Sequence, residues 1–294
     1  MTIKSSGSSL SFTEISNEFG LPPNKNLGAY RVDANIGSLS ELALDSGIPQ
    51  SGQIKFSDFY GKKLNIVVRC TGGNRATANY SDGVVVGGFK NRPSRNSGGW
   101  QGGKKIFINV TGTYSSNGAS ESEFAFKTGN SSVWPSGTDM VIDVSSSGRI
   151  VGRGGNGGNA SGGDGGNGSN GLRYLSGAEI NNNGYISGGG GGGGGGGRAE
   201  QNDWGDRNDA EGGGGGGGNG IPAGSGGNGN GGGGDGSSTN GGSGRDGEDD
   251  SEAEGGSGGS GGSNGGDGED ASGGSNKQEE NGDGGEGGKA SEAY

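Results

Sequence analysis

The chain has 294 residues, 82 of them glycine, and apolar types make up only 24%, about half the share of a typical globular domain. The net charge of −11 arises in residues 245–294, where 14 acidic side chains outnumber three basic ones, which argues against nucleic acid or anionic membrane as a partner. The sequence has no histidine and one cysteine, so it excludes Ser-His and Cys-His catalytic pairs and histidine-containing zinc sites; we expect no enzyme, metal or cofactor.

Residues 1–62 predict a small, mostly helical module. Ser11-Phe12-Thr13-Glu14 is a capping-box pattern that starts a helix, with the threonine as an alternative cap. A second start signal stands at Ser38-Leu39-Ser40-Glu41. A third short element at Ile54–Phe59 repeats the apolar, polar, Phe, hydroxyl, acid order of Leu10–Glu14. Because so small a module buries little apolar surface, we expect it to dock on another protein or to oligomerise.

Residues 63–151 predict an antiparallel β domain resembling a small sandwich. Its short apolar runs are separated by Gly, Ser, Asn and Pro. The clearest of these runs are Val84–Val86, Ile106–Val110, Phe124–Phe126 and Met140–Val144. Cys70 ends a further apolar run that begins at Leu64, so a buried strand position is its better interpretation.

From residue 152 onward the composition cannot supply a core of side chains, because 61 of the 82 glycines lie there. The runs Gly188–Gly197 and Gly212–Gly218 would ordinarily be flexible linkers. Three isoleucines, spaced 36 and 35 residues apart, each precede a glycine-rich segment: Ile150, Ile186 and Ile221. Such regular spacing indicates stacked structural units rather than a linker.

We therefore predict that residues 152–244 form an ordered, distal lattice of polyglycine-type extended helices. Such a helix has three residues per turn and no internal hydrogen bonds. Without side chains, neighbouring segments can approach closely enough to bond backbone to backbone, which satisfies polar groups that otherwise need water. Residues 245–294 are interpreted as an acidic Gly/Ser-rich tail, most simply a solvated one.

The segment between the two long glycine runs, residues 198–211, holds the candidate binding residues. Trp204 lies there among charged and amide side chains, so its ring could pack on a sugar or an aromatic group, or fold back on the lattice edge. Arg198 and Arg207 suit carboxylates or phosphates. The candidates are Arg198, Gln201, Asn202, Trp204 and Arg207, with Tyr174 and Tyr185 of the preceding connection as weaker ones.

Two parts of the sequence resemble virion proteins of tailed bacteriophages. The segment Ile48-Pro49-Gln50-Ser51-Gly52-Gln53-Ile54-Lys55-Phe56-Ser57-Asp58-Phe59-Tyr60-Gly61-Lys62 is similar to one near the N-terminus of many such proteins. Gly148-Arg149-Ile150 and Gly184-Tyr185-Ile186, with their glycine runs, resemble the Gly-rich domains of tail-fibre adhesins. In T-even-like adhesins such runs form a sandwich of polyglycine helices, and the loops between runs bind the host receptor.

The resemblance implies a virion structural protein, a tail fibre or adhesin that mediates attachment to the host cell surface. Residues 1–62 would bind other tail or baseplate proteins, and the distal part would meet a surface glycan or an outer-membrane protein. We expect a homo-oligomer or a fibre-tip assembly. The start of the chain shows no apolar signal segment, which predicts synthesis in the host cytoplasm and residence in the virion tail.

Two alternatives remain open at this point. One is a purely structural baseplate or fibre component without receptor binding. The other is a cellular Gly-rich surface or ice-binding protein, against which the phage-like N-terminus speaks.

Overall fold

The computed structural model describes residues 3–19, 26–30, 48–49, 51–62, 66–74, 76–77, 105–118, 122–129, 139–203, 206–230, 232–238, 240–247, 249–250, 253–254, 257–263, 266–272 and 291–293. Strands dominate these ranges and helix is sparse, so the predicted mainly β class is confirmed. None of the helices in them is both long enough and apolar enough to cross a bilayer. The predicted helix start at residues 38–41 and the strand at Val84–Val86 lie outside the described residues.

The N-terminal module is built around one helix, α1 (Phe12–Phe19), with 3-10 turns at Leu27–Tyr30 and Phe56–Phe59. The capping box is present: the Glu14 amide donates to the Ser11 hydroxyl (3.3 Å), and the Ser11 amide donates to the Glu14 carboxylate (2.9 Å).

The third element of this module starts in the way the repeat predicts. The Lys55 amide donates to the Asp58 carboxylate (2.7 Å), as the Ser11 amide does to Glu14 at the start of α1. The two elements also meet, because the Phe12 and Phe56 rings pack edge to face with centroids 4.7 Å apart. The small core of the module comprises Ile3, Ile15, Ile48 and Phe59.

Sixteen strands follow within the described ranges. They are Ile66–Cys70 (β1), Gly73–Asn74 (β2), Ala76–Thr77 (β3), Lys105–Val110 (β4), Thr113–Ser115 (β5), Phe124–Lys127 (β6), Asp139–Val144 (β7), Arg149–Val151 (β8), Asn170–Tyr174 (β9), Glu179–Asn182 (β10), Tyr185–Ser187 (β11), Ala199–Asp203 (β12), Asp206–Ala210 (β13), Asp249–Asp250 (β14), Ala253–Glu254 (β15) and Ser291–Ala293 (β16).

Twelve of these strands form three parallel sheets that wind into a solenoid. The sheets have the orders β1-β4-β7-β10, β2-β5-β8-β11 and β3-β6-β9-β16. The chain visits one strand of each sheet before it returns to the first, so each circuit adds one three-sided rung. The third side of the fourth rung is supplied by β16, from the end of the chain.

The prediction of an antiparallel β domain is wrong, because all three sheets of the solenoid are parallel. Short apolar runs look alike in either arrangement, whereas parallel neighbours need crossover connections of a dozen or more residues. The paired residues Ile106 and Met140 are 34 positions apart, which leaves room for a full circuit. Antiparallel pairing occurs, in the part of the chain that the structure describes, between β12 and β13 and between β14 and β15.

The interior of the solenoid is filled by columns of apolar side chains stacked from rung to rung. Val68, Ile108 and Ile142 are in register and buried on adjacent strands of the first sheet. Cys70 is buried at the end of β1, as predicted. Each such side chain contributes about 1.5–3 kcal/mol on burial, so the solenoid is held by a conventional core.

The isoleucine spacing marks rungs at two of its three positions. Ile150 and Ile186 are paired on β8 and β11, in consecutive rungs. Ile221 lies in no strand, and its amide donates to the carbonyl of Gly152 (2.9 Å). The regular repeat therefore ends at Ser187, where the first long glycine run begins.

The glycine-rich residues form two insertions at one corner of the solenoid. Residues 152–169 connect β8 to β9, and residues 188–290 separate β11 from β16. The described segments of these insertions bond to one another through their backbones, with contacts that recur at every third residue. For example, the amides of Gly155 and Gly158 donate to the carbonyls of Gly190 and Gly193 at 2.8–2.9 Å.

The longest run donates hydrogen bonds in three directions in turn. Successive amides of residues 189–196 donate to residues 163–169, then 213–219, then 266–269, and the sequence of partners repeats. The glycines from 188 to 197 and from 212 to 218 are all buried. A Cβ atom on Gly193 would lie 2.0 Å from the carbonyl oxygen of Gly259, so these contacts require the absence of side chains.

Part of the acidic C-terminal block belongs to the same network. The carbonyls of Gly259 and Gly262 accept hydrogen bonds from Gly216 and Asn219. Residues 257–263 and 266–272 therefore do not form the solvated tail that we expected. The physical reason is that the glycines of this block make the same backbone hydrogen bonds as the earlier glycines. Much of the acidic charge lies outside these glycine segments, at residues 246–254 and 279–292.

Candidate functional site

The segment between the two long glycine runs is a β-hairpin. Strands β12 and β13 pair with Ala199 opposite Ala210 and with Asp203 opposite Asp206. Both alanines are fully buried against each other. Each of them is one residue away from a buried glycine run, so the base of the hairpin lies at the end of both runs.

The structure brings most of the predicted site residues to this hairpin. Arg198 is half-buried at its base, Gln201 is paired with Asn208, and Asn202 is paired with Arg207. Trp204, which follows β12 in the sequence, lies outside the described residues.

A second hairpin, which the sequence analysis missed, lies against the first. Strand β14 pairs with β15, and β15 packs on both strands of the first hairpin. A signal for it exists in the sequence: Glu248–Glu254 is a glycine-free polar stretch between two glycine-rich segments, which is also the setting of residues 198–211.

Acidic residues predominate in both hairpins. In the first, Glu200 is opposite Asp209 and Asp203 is opposite Asp206. Like charges directly opposite each other destabilise a strand pair.

The two tyrosines are not part of this group. Tyr174 ends β9 and Tyr185 begins β11, so each lies at the strand end that is away from the adjoining glycine-rich insertion. Tyr174 packs against the solenoid core, and the Arg149 guanidinium lies 5.5 Å from the Tyr185 ring centroid. The run from Gly188 to Gly197 separates them from the hairpin.

Chain direction identifies the other connections at the hairpin end. Residues 152–161 run parallel to the first long run, because Gly152 bonds to Ser187 and Ser161 to Gly196. Their turn at residues 161–162 therefore lies beside the hairpin. The turn at residues 229–232 lies there too, since the Ala160 amide donates to Asn228.

The shifted pKa values of the described residues lie away from the hairpins. Burial raises the pKa of the Cys70 thiol to about 12, and burial likewise raises the pKa of Tyr114 to about 12. Both groups stay neutral at ordinary pH inside the solenoid. Among the described residues no three His, Cys, Asp or Glu side chains are grouped so that they could hold a metal ion.

The model of the family described as phage tail fibre adhesin Gp38 matches residues 70–294. The chain belongs to this family. The match spans most of the solenoid and the whole glycine-rich part, so the protein is a phage tail-fibre attachment protein, as the sequence predicts. Its place is the tail of the virion.

One solved structure is similar to the chain over nearly its whole length. It is the crystal structure of the gp37-gp38 adhesin tip complex of the bacteriophage S16 long tail fiber, with 19% identity, 98% of this chain and 95% of that chain covered, and a TM-score of 0.44. No curated protein matches the sequence.

Proposed function

We propose that this adhesin contacts the host through the hairpin end of its glycine-rich part, with residues 198–211 and the β14–β15 hairpin at the receptor. The observation that supports this is the position of the two hairpins. They pack on each other at the end of a buried glycine run whose other end joins the solenoid. The hairpins are therefore presented as one surface at a fixed distance from the rest of the protein.

In this proposal the glycine-rich part is a rigid spacer built as a stack of polyglycine-type extended helices. The three-residue recurrence of its hydrogen bonds and their three directions support such helices. At about 3.1 Å per residue, the ten glycines of Gly188–Gly197 would reach roughly 31 Å. Rigidity matters because a preorganised surface avoids the ordering cost of binding.

The contact residues in the proposal are Arg198, Gln201, Asn202, Trp204 and Arg207. Tryptophan and arginine are enriched at the energetic centres of interfaces, and amide side chains orient polar ligands. The partner is a surface glycan or an outer-membrane protein of the host. The protein acts by binding alone, without catalysis or a cofactor.

Residues 1–62 are the attachment module in this proposal. They fold around a core of their own and lie outside the family match, which starts at residue 70. Such a core is too small to supply much stability, so the module gains from docking on a tail or baseplate protein. In the proposed division, residues 1–62 are the attachment module. Residues 63–151, together with β9–β11 and β16, form the solenoid. The rest of residues 152–244 is the spacer, and the rest of residues 245–294 is the acidic part that bonds to it.

The test of the receptor surface is adsorption of phage that carry Trp204→Ala. Truncating a central aromatic residue commonly costs about 2 kcal/mol, roughly thirtyfold in affinity, so we expect adsorption to fall at least tenfold in particles that assemble normally. Tyr185→Ala, an aromatic truncation at the opposite end of the run, is the matched control and should leave adsorption unchanged. If Trp204→Ala and the double variant Arg198→Ala/Arg207→Ala both adsorb normally while Tyr185→Ala does not, the site lies at residues 172–187.

A second test concerns orientation on the virion. Gold-labelled antibodies against residues 1–62 and against the glycine-rich part should mark two different positions, with the glycine-rich part outermost. A protein whose glycine-rich part is covered in the particle would be a purely structural component.

A further inference from the structure

The last rung of the solenoid differs from the others in the origin of its third strand. In the third rung β9 follows β8 after the short insertion of residues 152–169. In the fourth rung the chain leaves at the end of β11 and returns at β16 only after residues 188–290. The strand that completes the rung is thus the end of the sequence.

We propose that β16 is a C-terminal latch, and that the free edge of β9 is the site that receives it. The insertion of residues 188–290 leaves the fourth rung after β11, and β16 attaches its other end to the same rung. Both ends of the long insertion, residues 188–290, are then held by one rung. The proposal concerns stability and presentation, and it does not depend on which residues meet the host.

The register of β16 carries the chemical specificity of the latch. Ser291 is opposite Leu172, Glu292 is opposite Arg173, and Ala293 is opposite Tyr174. The register matches residues by size and charge: small residues occupy the positions opposite Leu172 and Tyr174, and an acidic residue occupies the position opposite Arg173. A slip by one residue would move every side chain to the other face and place the acid opposite an apolar residue.

The charges on the strands next to β16 favour the same register. Lys127 on β6 is opposite Arg173 on β9, and both cations lie 5.3 Å from the ring centroid of Phe124. Two neighbouring cations repel each other, and an acid placed next in the column offsets that repulsion. Glu292 is the residue that the register places there.

The receiving edge also explains why a latch is needed. Without β16, the backbone of Leu172–Tyr174 would be an open edge, which is a template for pairing with other chains. In the first three rungs the third strand is followed by another rung, which covers it. The C-terminal residues cover this edge from within the same molecule.

The segment most affected by the latch is residues 266–272, the last described part of the insertion before β16. Its carbonyls accept hydrogen bonds from Gly191 (3.1 Å, to Gly266) and Gly194 (3.0 Å, to Glu269) of the long buried run. If β16 is released, this segment loses its downstream connection to the solenoid, and local opening becomes easier. The amides of Gly191 and Gly194 then lose their acceptors.

The experiment compares hydrogen exchange in the full-length protein and in its Glu292→Lys variant. We expect the variant to exchange at least tenfold faster in peptides that cover residues 266–272 and 189–196, with the first three rungs unchanged. Glu286→Lys makes the same change of net charge six residues earlier and is the matched control, expected to exchange like the unchanged protein. The double variant Arg173→Glu/Glu292→Lys restores the acid–base pair in reverse and should return exchange to within threefold.

Two results would overturn the latch. One is unchanged exchange at residues 266–272 both in Glu292→Lys and in a chain that ends at Ala290. The other is equal acceleration by Glu292→Lys and Glu286→Lys, which would mean a general effect of charge. Since none of these measurements involves a receptor, their outcome is separate from that of the adsorption test.

Discussion

In the solenoid, rungs that pair through backbone hydrogen bonds also enclose a core of side chains, whereas in the glycine-rich part segments bond backbone to backbone without such a core. Ile108 and Ile142 illustrate the first mode, stacked and fully buried on adjacent strands. Gly193 illustrates the second, since a Cβ placed on it would overlap the carbonyl of Gly259. One chain thus contains two interiors, one that depends on the volume of side chains and one that depends on their absence.

The difference shows what each interior needs in order to be stable. Fixing glycine costs roughly 0.5–1 kcal/mol more than fixing alanine, because glycine has more backbone freedom to lose. A hydrogen bond returns only about 0.5–1.5 kcal/mol net. The glycine-rich part must therefore bond each segment to several neighbours, as residues 189–196 do in three directions.

The same difference accounts for where side chains reappear. In the outer segments every third residue differs from glycine, as in Arg153, Asn156 and Asn159, or Ser257, Ser260 and Ser263. The two solid glycine runs are buried along their whole length. Solid runs thus occur where a segment has neighbours all round, and the interrupted pattern occurs where one side faces water.

The strongest way to break the comparison is to add a side chain to the glycine interior. Gly193→Val should destabilise the glycine-rich part by at least about 3 kcal/mol, because the side chain overlaps a backbone that has no room to move. Hydrogen exchange of residues 152–272 measures this. Ser225→Val adds the same side chain at an exposed position of an outer segment and should stay within about 0.5 kcal/mol. Equal effects of the two variants would refute backbone-to-backbone packing.

The reciprocal change removes a side chain from the solenoid. Ile142→Ala should cost about 2–5 kcal/mol, since it leaves a cavity in a fully buried column. Denaturant unfolding followed by a probe in the solenoid gives the value. Asn181→Ala, an exposed substitution on the neighbouring strand β10, is the control. A loss below 1 kcal/mol for Ile142→Ala would show that the columns of the solenoid are loosely packed.

Alkaline pH should destabilise the solenoid more than the glycine-rich part, because Cys70 and Tyr114, whose pKa values are raised, both lie in the solenoid. Burial raises the pKa of Cys70 from 9.0 to about 12, so the folded state keeps a thiol that the unfolded chain would ionise. This contribution is complete below pH 9.0 and is lost as the pH rises towards about 12. Stability should fall over that range, and less steeply in Cys70→Ala. The same slope in both proteins would exclude Cys70 as the cause.

The smallest expected effect is in the N-terminal module, which has, among its described residues, only a small core of four buried apolar side chains. The hydrogen bond from Lys4, followed by that from the Ser11 amide, lowers the pKa of Glu14 below its ordinary value of 4.5. Its contribution is therefore present above pH 4.5 and is lost as the pH falls further. Thermal unfolding of the module should be slightly less dependent on acid in Glu14→Gln. Because the pair is exposed, a large effect would contradict the structure.

The sequence singled out the segment of the candidate site, residues 198–211, but did not predict that it forms a hairpin. A tryptophan and two arginines between glycine runs pointed to residues 198–211, and the structure joins their flanks in one hairpin. The sequence analysis missed the β14–β15 hairpin because its residues belong to a block with 14 acidic and three basic side chains, which predicts a solvated tail. Contact between two hairpins that stand some 50 positions apart leaves no local pattern in the sequence.

The sequence alone determined the elements that depend on near neighbours along the chain. The capping box at Ser11 and Glu14 and the strand runs of β4 and β7 follow from local composition and spacing. Only the tertiary structure decided which strands pair, because a short apolar run fits a parallel or an antiparallel neighbour equally well. It also decided that β16 completes the last rung, since the sequence does not show which strand edge is open to a three-residue strand.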